Sequence, residues 1–227
     1  MSHIPVMLSE VIENLAPREG GIYIDGTFGR GGYTRALLDA GAGKVIAIDR
    51  DPAAIESGKE VAADYPEKLS LRHGTFGSMN ALLSEEEREE KVDGITFDLG
   101  VSSPQLDEAA RGFSFQEDGP LDMRMSGEGQ TAADIVNEAS EKELADILYH
   151  FGDERYSRRI AKRIVEARIK KPITRTKELA DLIHQALPPA KDGTHPATRS
   201  FQALRIAVND ELGELERGIT AAEGLLK

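Results

Sequence analysis

Two short apolar runs, at 22–24 and 45–48, each end in an aspartate, and the segment between them restricts the fold more than any other part of the chain. The first run stops at Asp25, and a glycine-rich turn and a helical pattern lead to the second run, which stops at Asp49. This alternation predicts a βαβ unit in a parallel sheet. A glycine-rich first turn and an acid at the end of the second strand are typical of units that bind a nucleoside-bearing cofactor.

The glycines have a physical reason to stand in this turn. A side chain there would keep a ligand away from the backbone, and some turn positions require a positive φ. The helix that follows offers N–H groups and a positive dipole end to a carboxylate or phosphate, while Asp49 is placed to accept both hydrogen bonds of a ribose diol. The alternative is that Asp49 is a surface cap and that these glycines are ordinary turn residues: Gly26, Gly29, Gly31 and Gly32.

Composition excludes several classes of protein. At 227 residues the chain is long enough for one large domain, or for one domain with an insert. It contains no cysteine, which removes disulfides, thiolate metal sites and a cysteine nucleophile. We find no signal-peptide pattern and no apolar stretch that could span a membrane, and we expect a cytoplasmic protein. The five histidines lack metal-ligand spacing, so no metal is predicted.

Charge is segregated along the chain. The formal net charge of −12 argues against a generally basic surface, and the acidic run at 84–90 is expected to be a solvated helix. Residues 155–177, in contrast, hold ten Lys or Arg and one acid, Glu166. This basic segment is where an anionic partner would dock, although a solvated amphipathic helix is the alternative.

Two more strands are predicted, at 69–72 and 92–99. The second ends near Asp98, which would lie where open α/β sheets bind ligands. After the first strand, Phe76 would either cover an adenine ring or pin its own loop.

The remainder of the chain shows helical periodicity. Four helices are predicted between 131 and 187, one of them with a capping box at Ser140 and Glu143. They follow one another without strands, which indicates a helical insert. A long helix is predicted over 197–222, and the N-terminal residues 3–15 are expected to form an extended arm followed by a helix.

The chain resembles the MraW/RsmH family across nearly its whole length. The family transfers a methyl group from S-adenosyl-L-methionine to N4 of a cytosine in the decoding region of bacterial 16S rRNA, within the small ribosomal subunit. The resemblance is carried by these motifs: HIPVM, DGTFGRGG, IDRDP, FDLGVSSPQLD, RGFSF, DGPLDMRM and HPATRSFQALRIAVNDEL.

The resemblance implies an α/β fold with a Rossmann-like class I methyltransferase core and an all-helical insert for substrate recognition. The core would comprise 1–111 and 198–227, and the insert 112–197. The family continues with a further strand and an SFHSLEDR-type segment that are absent here. Either the chain is a partial product, with an incomplete sheet, or its sheet is completed in another way.

The resemblance also assigns residues to the cofactor. Tyr33 stands where the family often has histidine, and we expect this contact to involve the loop backbone, so that the change has little effect. The cofactor contacts carried over are Gly31, Gly32, Tyr33, Asp49, Phe76, Asp98 and Gln105.

Catalysis is assigned to Asp98 with Ser102. Cytosine N4 is a poor nucleophile, and acceptors hydrogen-bonded to its amino hydrogens would direct its lone pair to the methyl group. Asp98 could instead hold the ammonium group of the cofactor. Methylation at cytosine C5 generally requires a thiolate, so the absence of cysteine agrees with an exocyclic nitrogen as the target.

RNA contacts are predicted for basic residues in the insert and in two of the family motifs. The motif residues Arg124 and Arg199 could instead order their loops through ion pairs. The same two roles are open for Asp122 and Arg205. The predicted substrate-binding residues are Arg124, Arg155, Arg159, Lys162 and Arg199.

Three other functions stay open at this point. A nicotinamide-dependent dehydrogenase would share the glycine turn and the ribose acid. A methyltransferase acting on DNA or a small molecule would share the core, and a non-catalytic RNA-binding or cofactor-binding fragment would lack turnover. No membrane partner is expected, and the oligomeric state is open, a homodimer included.

Overall fold

The computed structural model describes residues 5–188 and 195–227, and the chain divides into two compact units. The first unit comprises Met1–Ser102 and Leu212–Lys227, and the second comprises Ser103–Glu211. The insert predicted at 112–197 falls inside the second unit, which also contains the flanking residues 103–111 and 198–211.

The first unit contains a parallel four-stranded sheet in the order β3-β2-β1-β4. Since all neighbouring pairs are parallel, the strands end at the same edge, where Asp25 aligns with Ala47 and Asp49 with His73. The strands are β1 (Ile22–Asp25), β2 (Lys44–Asp49), β3 (Leu69–His73) and β4 (Gly94–Thr96).

Helices cover both faces of this sheet. One apolar cluster joins Ile24 and Ile46 to Met79 and Leu225, and another joins Tyr23 to Leu37. Burial on both faces explains why the strands read as continuous apolar runs, and it confirms the predicted α/β class. The helices of this unit are α1 (Leu8–Leu15), α2 (Gly32–Asp39), α3 (Pro52–Asp64), α4 (Met79–Leu82), α5 (Glu85–Glu90) and the greater part of α12 (Glu211–Leu225).

The second unit is helical in its described part. The predicted capping box is confirmed: Ser140 Oγ accepts from the N–H of Glu143, whose carboxylate accepts from the N–H of Ser140. A second box joins Thr131 to Asp134. The helices are α6 (Ser103–Asp107), α7 (Ala132–Glu138), α8 (Glu141–Gly152), α9 (Ser157–Arg168), α10 (Thr176–Ala186) and α11 (Thr198–Asn209).

The prediction of one continuous helix over 197–222 is wrong. The helix ends at Asn209, and Asp210 adopts a left-handed conformation with φ of 48° before α12 begins. Aspartate tolerates this conformation better than most residues. The apolar periodicity continues on both sides of Asp210 and therefore does not reveal the break.

The strand predicted at 92–99 is shorter than expected. Pairing with β1 covers Gly94–Thr96, whereas Val92 forms an isolated bridge with Leu226. Beyond Thr96 the N–H of Asp98 donates to the hydroxyl of Thr27 at 2.7 Å. The side-chain hydroxyl of Thr27 thus takes the place of a strand carbonyl as the hydrogen-bond acceptor after β4.

At the N-terminus, α1 begins at Leu8, which confirms the helical part of the predicted arm and helix. His3 and Ile4 of the HIPVM motif lie outside the described residues, as does most of the proline-rich return before His195.

Candidate functional site

Asp25 connects the strand, the turn and the helix of the βαβ unit. Its carboxylate is fully buried at the end of β1. Oδ2 accepts a hydrogen bond from the hydroxyl of Thr34 at 2.7 Å, and Oδ1 accepts one from the N–H of Thr27 at 3.2 Å. Through these bonds one side chain fixes both the beginning of the turn and the first part of α2.

Asp49 holds the glycine turn from the neighbouring strand. Its Oδ2 accepts from the N–H of Gly29 at 2.7 Å, and its Oδ1 accepts from the N–H of Asp51 at 2.8 Å. Burial raises the pKa of Asp49, and these two backbone hydrogen bonds oppose that increase. A carboxylate oxygen can accept two hydrogen bonds, so each oxygen of Asp49 has capacity for a ligand hydroxyl in addition to its backbone partner.

The glycines at the start of α2 are required by geometry. Gly31 has a φ of +76°, and a Cβ on it would approach the ring of Phe28 to 2.8 Å. A Cβ on Gly32 would overlap Cγ of Pro5. The first helical bond beyond this point joins the N–H of Arg35 to the carbonyl of Gly31 at 2.9 Å. The preceding helical amides therefore lack an intrahelical acceptor. The amide of Thr34 bonds to Asp25, and the amides before it make this end suited to a carboxylate.

Tyr33 has a buried side chain with a structural role. Its hydroxyl donates to the carbonyl of Val6 at 2.6 Å. Burial and the nearby carboxylates of Asp98 and Asp25 raise the pKa of the phenol. The expectation that Tyr33 meets the cofactor through its backbone stays a prediction.

Phe76 is packed against a second ring in the first unit. Its centroid lies 4.7 Å from that of Phe97, and it is 9% exposed. A Cβ on Gly26 would come within 2.5 Å of Phe97, and one on Gly218 within 2.5 Å of Phe76. These contacts are those expected of a ring that pins its loop, one of the two predicted roles, and contact with an adenine stays a prediction.

The predicted catalytic residues follow β4. Asp98 is exposed, and Ser102 is half-buried at the end of the first unit. The hydroxyl of Thr27 accepts from the N–H of Asp98, and the N–H of Thr27 donates to Asp25. This chain of bonds fixes the backbone that carries the Asp98 carboxylate. Gln105 belongs to α6 of the second unit, where it is buried.

The pKa of Asp25 yields a prediction about stability. Burial raises this pKa from 3.8 to about 6, against the lowering effect of the Thr34 hydrogen bond. The folded protein therefore keeps a proton that the unfolded chain loses, and the contribution of Asp25 to the free energy of unfolding falls as pH rises from about 4 to 6, by ~3 kcal/mol. Asp25→Asn should remove this dependence in urea unfolding between pH 4 and 7.

Thr34→Val serves as the companion variant. It removes a hydrogen bond that lowers the pKa of Asp25, so the fall in stability should extend to a higher pH than in the unaltered protein. Identical pH profiles for Asp25→Asn and the unaltered protein would contradict this account of the buried carboxylate.

Arg124 in the second unit is held in a fork by Asp122. Its Nε donates to Oδ1 at 2.8 Å and its Nη2 to Oδ2 at 2.7 Å. The side chain of Asn209, 2% exposed, accepts from the N–H of Met125 and donates to the carbonyl of Met123. The loop that carries Arg124 is thus fixed from both sides, and a contact of Arg124 with substrate stays a prediction.

The remaining predicted RNA contacts are exposed. Arg159 and Lys162 on α9 are exposed, and so is Arg155 in the turn that precedes this helix. The Nζ of Lys162 lies 4.0 Å from Oε1 of Glu166. Arg199 is exposed on α11 and donates to the carbonyl of Asp153 at 3.2 Å. The exposed Lys and Arg side chains of the α9 segment are available to a polyanion.

Sequence reasoning missed several residues that organise these loops. The sequence patterns do not single out Thr27, Thr34 or Asn209, and they mark Asp25 as the end of a strand without giving it a role. Thr34 carries a local signal, because a hydroxyl residue nine positions after a strand-terminal acid can reach its carboxylate. Thr27 carries none, because it bonds to Asp25 through its backbone N–H, which any residue except proline supplies. Asn209 lies 84 positions from its partner Met125, and the sequence contains no local sign of that contact.

Within residues 5–188 and 195–227, no helix has the length and apolar character needed to cross a membrane. In the same ranges, no cluster of three or more His, Cys, Asp or Glu side chains could hold a metal ion.

Comparison of the sequence with those of known proteins identifies its family. The profile of the MraW methylase family matches residues 1–227. A protein of Rhodospirillum centenum named ribosomal RNA small subunit methyltransferase H is 59% identical over 224 residues, covering 99% of this chain and 68% of that protein. The protein of the same name from Paramagnetospirillum magneticum is 58% identical over 224 residues, covering 99% and 70%.

A crystal structure of a Clostridium thermocellum protein proposed to be an rRNA methylase aligns with a TM-score of 0.37 and 20% identity, covering 44% of this chain and 55% of that one. The sequence relationships, which extend along the full length of the chain, establish its membership: this chain belongs to the MraW methylase family.

Proposed function

We propose that this chain is an S-adenosyl-L-methionine-dependent methyltransferase that modifies N4 of a cytosine in the decoding region of bacterial 16S rRNA. The observation that carries the proposal is the match to a methylase family over all 227 residues, together with 58–59% identity to relatives named for the small-subunit rRNA. We also propose a cytoplasmic location, which an rRNA substrate supports, and the small ribosomal subunit as the partner.

The residues at the carboxyl edge of the sheet fit this cofactor. Asp49 has acceptor capacity for the ribose hydroxyls, and the amides at the start of α2 suit the carboxylate of the methionine part. Gly31 and Gly32 leave the backbone open to a ligand. S-adenosyl-L-methionine, when bound, supplies an electrophilic methyl group on a sulfonium for direct displacement.

The chain itself has to align the base and assist its nitrogen. We assign Asp98, with Ser102, to accept hydrogen bonds from the exocyclic amino group. These acceptors favour the form of the amino group whose lone pair points to the methyl, and they stabilise positive charge that develops on nitrogen. The N–C bond forms as the C–S bond breaks, and N4 then releases a proton to solvent. The backbone bond from Asp98 to Thr27 limits the motion of this acceptor.

We propose a division of labour between the two units. The first unit carries the cofactor-binding residues other than Gln105, and the second recognises RNA through Arg124, Arg155, Arg159, Lys162 and Arg199. Gln105 is assigned to the cofactor on the strength of its motif. Residues 155–177 contain ten Lys or Arg, although the chain as a whole carries a net charge of −12. This local concentration of positive charge supports a polyanionic substrate.

Nucleoside mass spectrometry tests the function directly. Small ribosomal subunits lacking decoding-site methylation are incubated with this chain and methyl-labelled S-adenosyl-L-methionine, and labelled N4-methylcytidine is the expected product. A heat-denatured sample of the chain is the control. Absence of label despite cofactor binding would contradict the catalytic proposal, and absence of both would contradict the assignment of the glycine turn.

A further inference from the structure

A row of aromatic rings leads from the core of the second unit to its surface. Phe201 on α11 is 4% exposed, and its ring meets the edge of the half-buried Phe115 at a centroid distance of 4.7 Å. The ring of Phe115 is followed by that of His195 at 4.5 Å with a tilt of 36°. His195 is exposed. The buried ring thus supports a surface ring through an intermediate one.

The orientation of His195 is set by a hydrogen bond. Its Nδ1 accepts from the N–H of Ala197 at 3.2 Å, so that nitrogen carries no proton in this arrangement. The neutral ring then has its proton on Nε2, which is a donor. His195 therefore presents an oriented ring face and one N–H group.

The outer end of this row adjoins the basic segment of the same unit. The ring of His184, exposed near the end of α10, lies 6.3 Å from that of His195. Its neighbour Gln185 accepts a hydrogen bond from Arg163 of α9 at 2.9 Å. The rings and the basic helix are therefore parts of one continuous surface.

We propose that His195, supported by Phe115, forms a stacking surface for an unpaired nucleobase of the RNA substrate. Proteins that hold single-stranded RNA combine a positively charged surface with rings on which bases stack, and stacking tolerates any base because every base has a flat face. The basic residues of α9 supply the charge, and the ring row supplies the face. This inference rests on the proposed function in that it takes RNA as the ligand.

The test separates stacking from attraction to phosphate. Binding of the full chain is measured by fluorescence anisotropy with two labelled probes, a single-stranded 12-nucleotide RNA and an abasic ribose-phosphate strand of equal length and charge. His195→Ala should weaken binding of the RNA by about tenfold, within the range found for loss of one stacked base, and leave binding of the abasic strand unchanged. His195→Phe, which loses the same bond to Ala197 but keeps a ring, should bind RNA within about twofold of the unaltered protein.

Two further measurements make the outcome decisive. Arg159→Ala should weaken binding of both probes and reduce the salt dependence, because it removes a charge and no ring. Equal losses on both probes for His195→Ala, or no loss on either, would overturn the stacking surface. Thermal unfolding of each variant checks the fold, and a loss of RNA binding shared by His195→Ala and His195→Phe would also overturn it, because both lack the bond to Ala197.

The same variants distinguish this inference from the proposed function. Discrimination between the two probes by a chain that transfers no methyl group would support the stacking surface and refute the methyltransferase assignment. Methyl transfer by a chain that does not discriminate would refute the stacking surface alone.

Discussion

Replacing Asp98 with alanine should lower the rate of methyl transfer by about 10²–10³-fold, the range found when one preorganised group that stabilises the transition state is removed. The carboxylate is exposed, and its backbone is tied to Thr27 at 2.7 Å, so it is accessible to a base and stands on a fixed segment. The measurement is single-turnover methyl transfer to small ribosomal subunits at saturating cofactor, with cofactor affinity determined separately.

Two control variants separate the roles of Asp98. Asp98→Asn keeps an acceptor oxygen but loses the negative charge. A rate close to that of Asp98→Ala would therefore mean that the effect of Asp98 comes mainly from attraction between its negative charge and the positive charge that develops on nitrogen. Thr27→Val leaves the carboxylate in place and removes the hydroxyl that accepts from the Asp98 backbone; it should produce a smaller loss. An increase in the Kd of the cofactor in Asp98→Ala, at an unchanged saturated rate, would assign Asp98 to the ammonium group. Full turnover with unchanged affinity would contradict both roles.

The central βαβ unit was predictable because its signals are local. Apolar runs at 22–24 and 45–48 mark strands buried on both faces, and the helical pattern between them is short and regular. One of the glycines, Gly31, reflects a close contact made within the same segment, with the ring of Phe28. Here each local preference agrees with the tertiary structure, which is the condition under which sequence patterns identify elements well.

The errors arose where tertiary contacts override periodicity. Apolar residues recur on both sides of Asp210, and nothing in that recurrence indicates a left-handed residue between two helices. The side chain of Asn209 bonds to the loop at Met123 and Met125, a contact between distant parts of the chain. Similarly, β4 is short because the backbone after Thr96 is held by the turn that carries Thr27.

The sequence names candidate site residues, but it does not determine their geometry. Asp49, the glycines and Asp98 follow from the pattern, Phe76 has two possible roles in it, and Gln105 is assigned by family resemblance alone. Sequence does not determine the direction of a side chain, and Tyr33 illustrates this, because its hydroxyl is directed to the carbonyl of Val6. The Arg124 side chain likewise has an ion-pair partner whose two-bond geometry the spacing alone does not establish.

Replacing Asp49 with alanine should weaken binding of S-adenosyl-L-methionine by at least about 100-fold. Two hydrogen bonds to a charged acceptor are worth roughly 1.5–3 kcal/mol each, and Asp49 also orders the turn through Gly29 and Asp51. Isothermal titration calorimetry with S-adenosyl-L-methionine measures the change. The loss would combine the direct contact with the ribose and the positioning of the turn, and affinity alone does not separate these two contributions.

A cofactor analogue that lacks the ribose 2′-hydroxyl separates them. If Asp49 binds that hydroxyl, the analogue should bind the unaltered protein about tenfold more weakly than the natural cofactor, while Asp49→Ala should bind the two with similar affinity. Asp51→Ala is the matched control: it removes the carboxylate that caps α3 by accepting from Ala53 at 3.0 Å, so it should cost about 1 kcal/mol of stability and retain the discrimination. Equal discrimination in the unaltered protein and in Asp49→Ala would mean that this carboxylate orders the turn without contacting the 2′-hydroxyl. Asp49 would then stabilise the glycine turn, and the backbone of that turn, not the side chain of Asp49, would recognise the ligand.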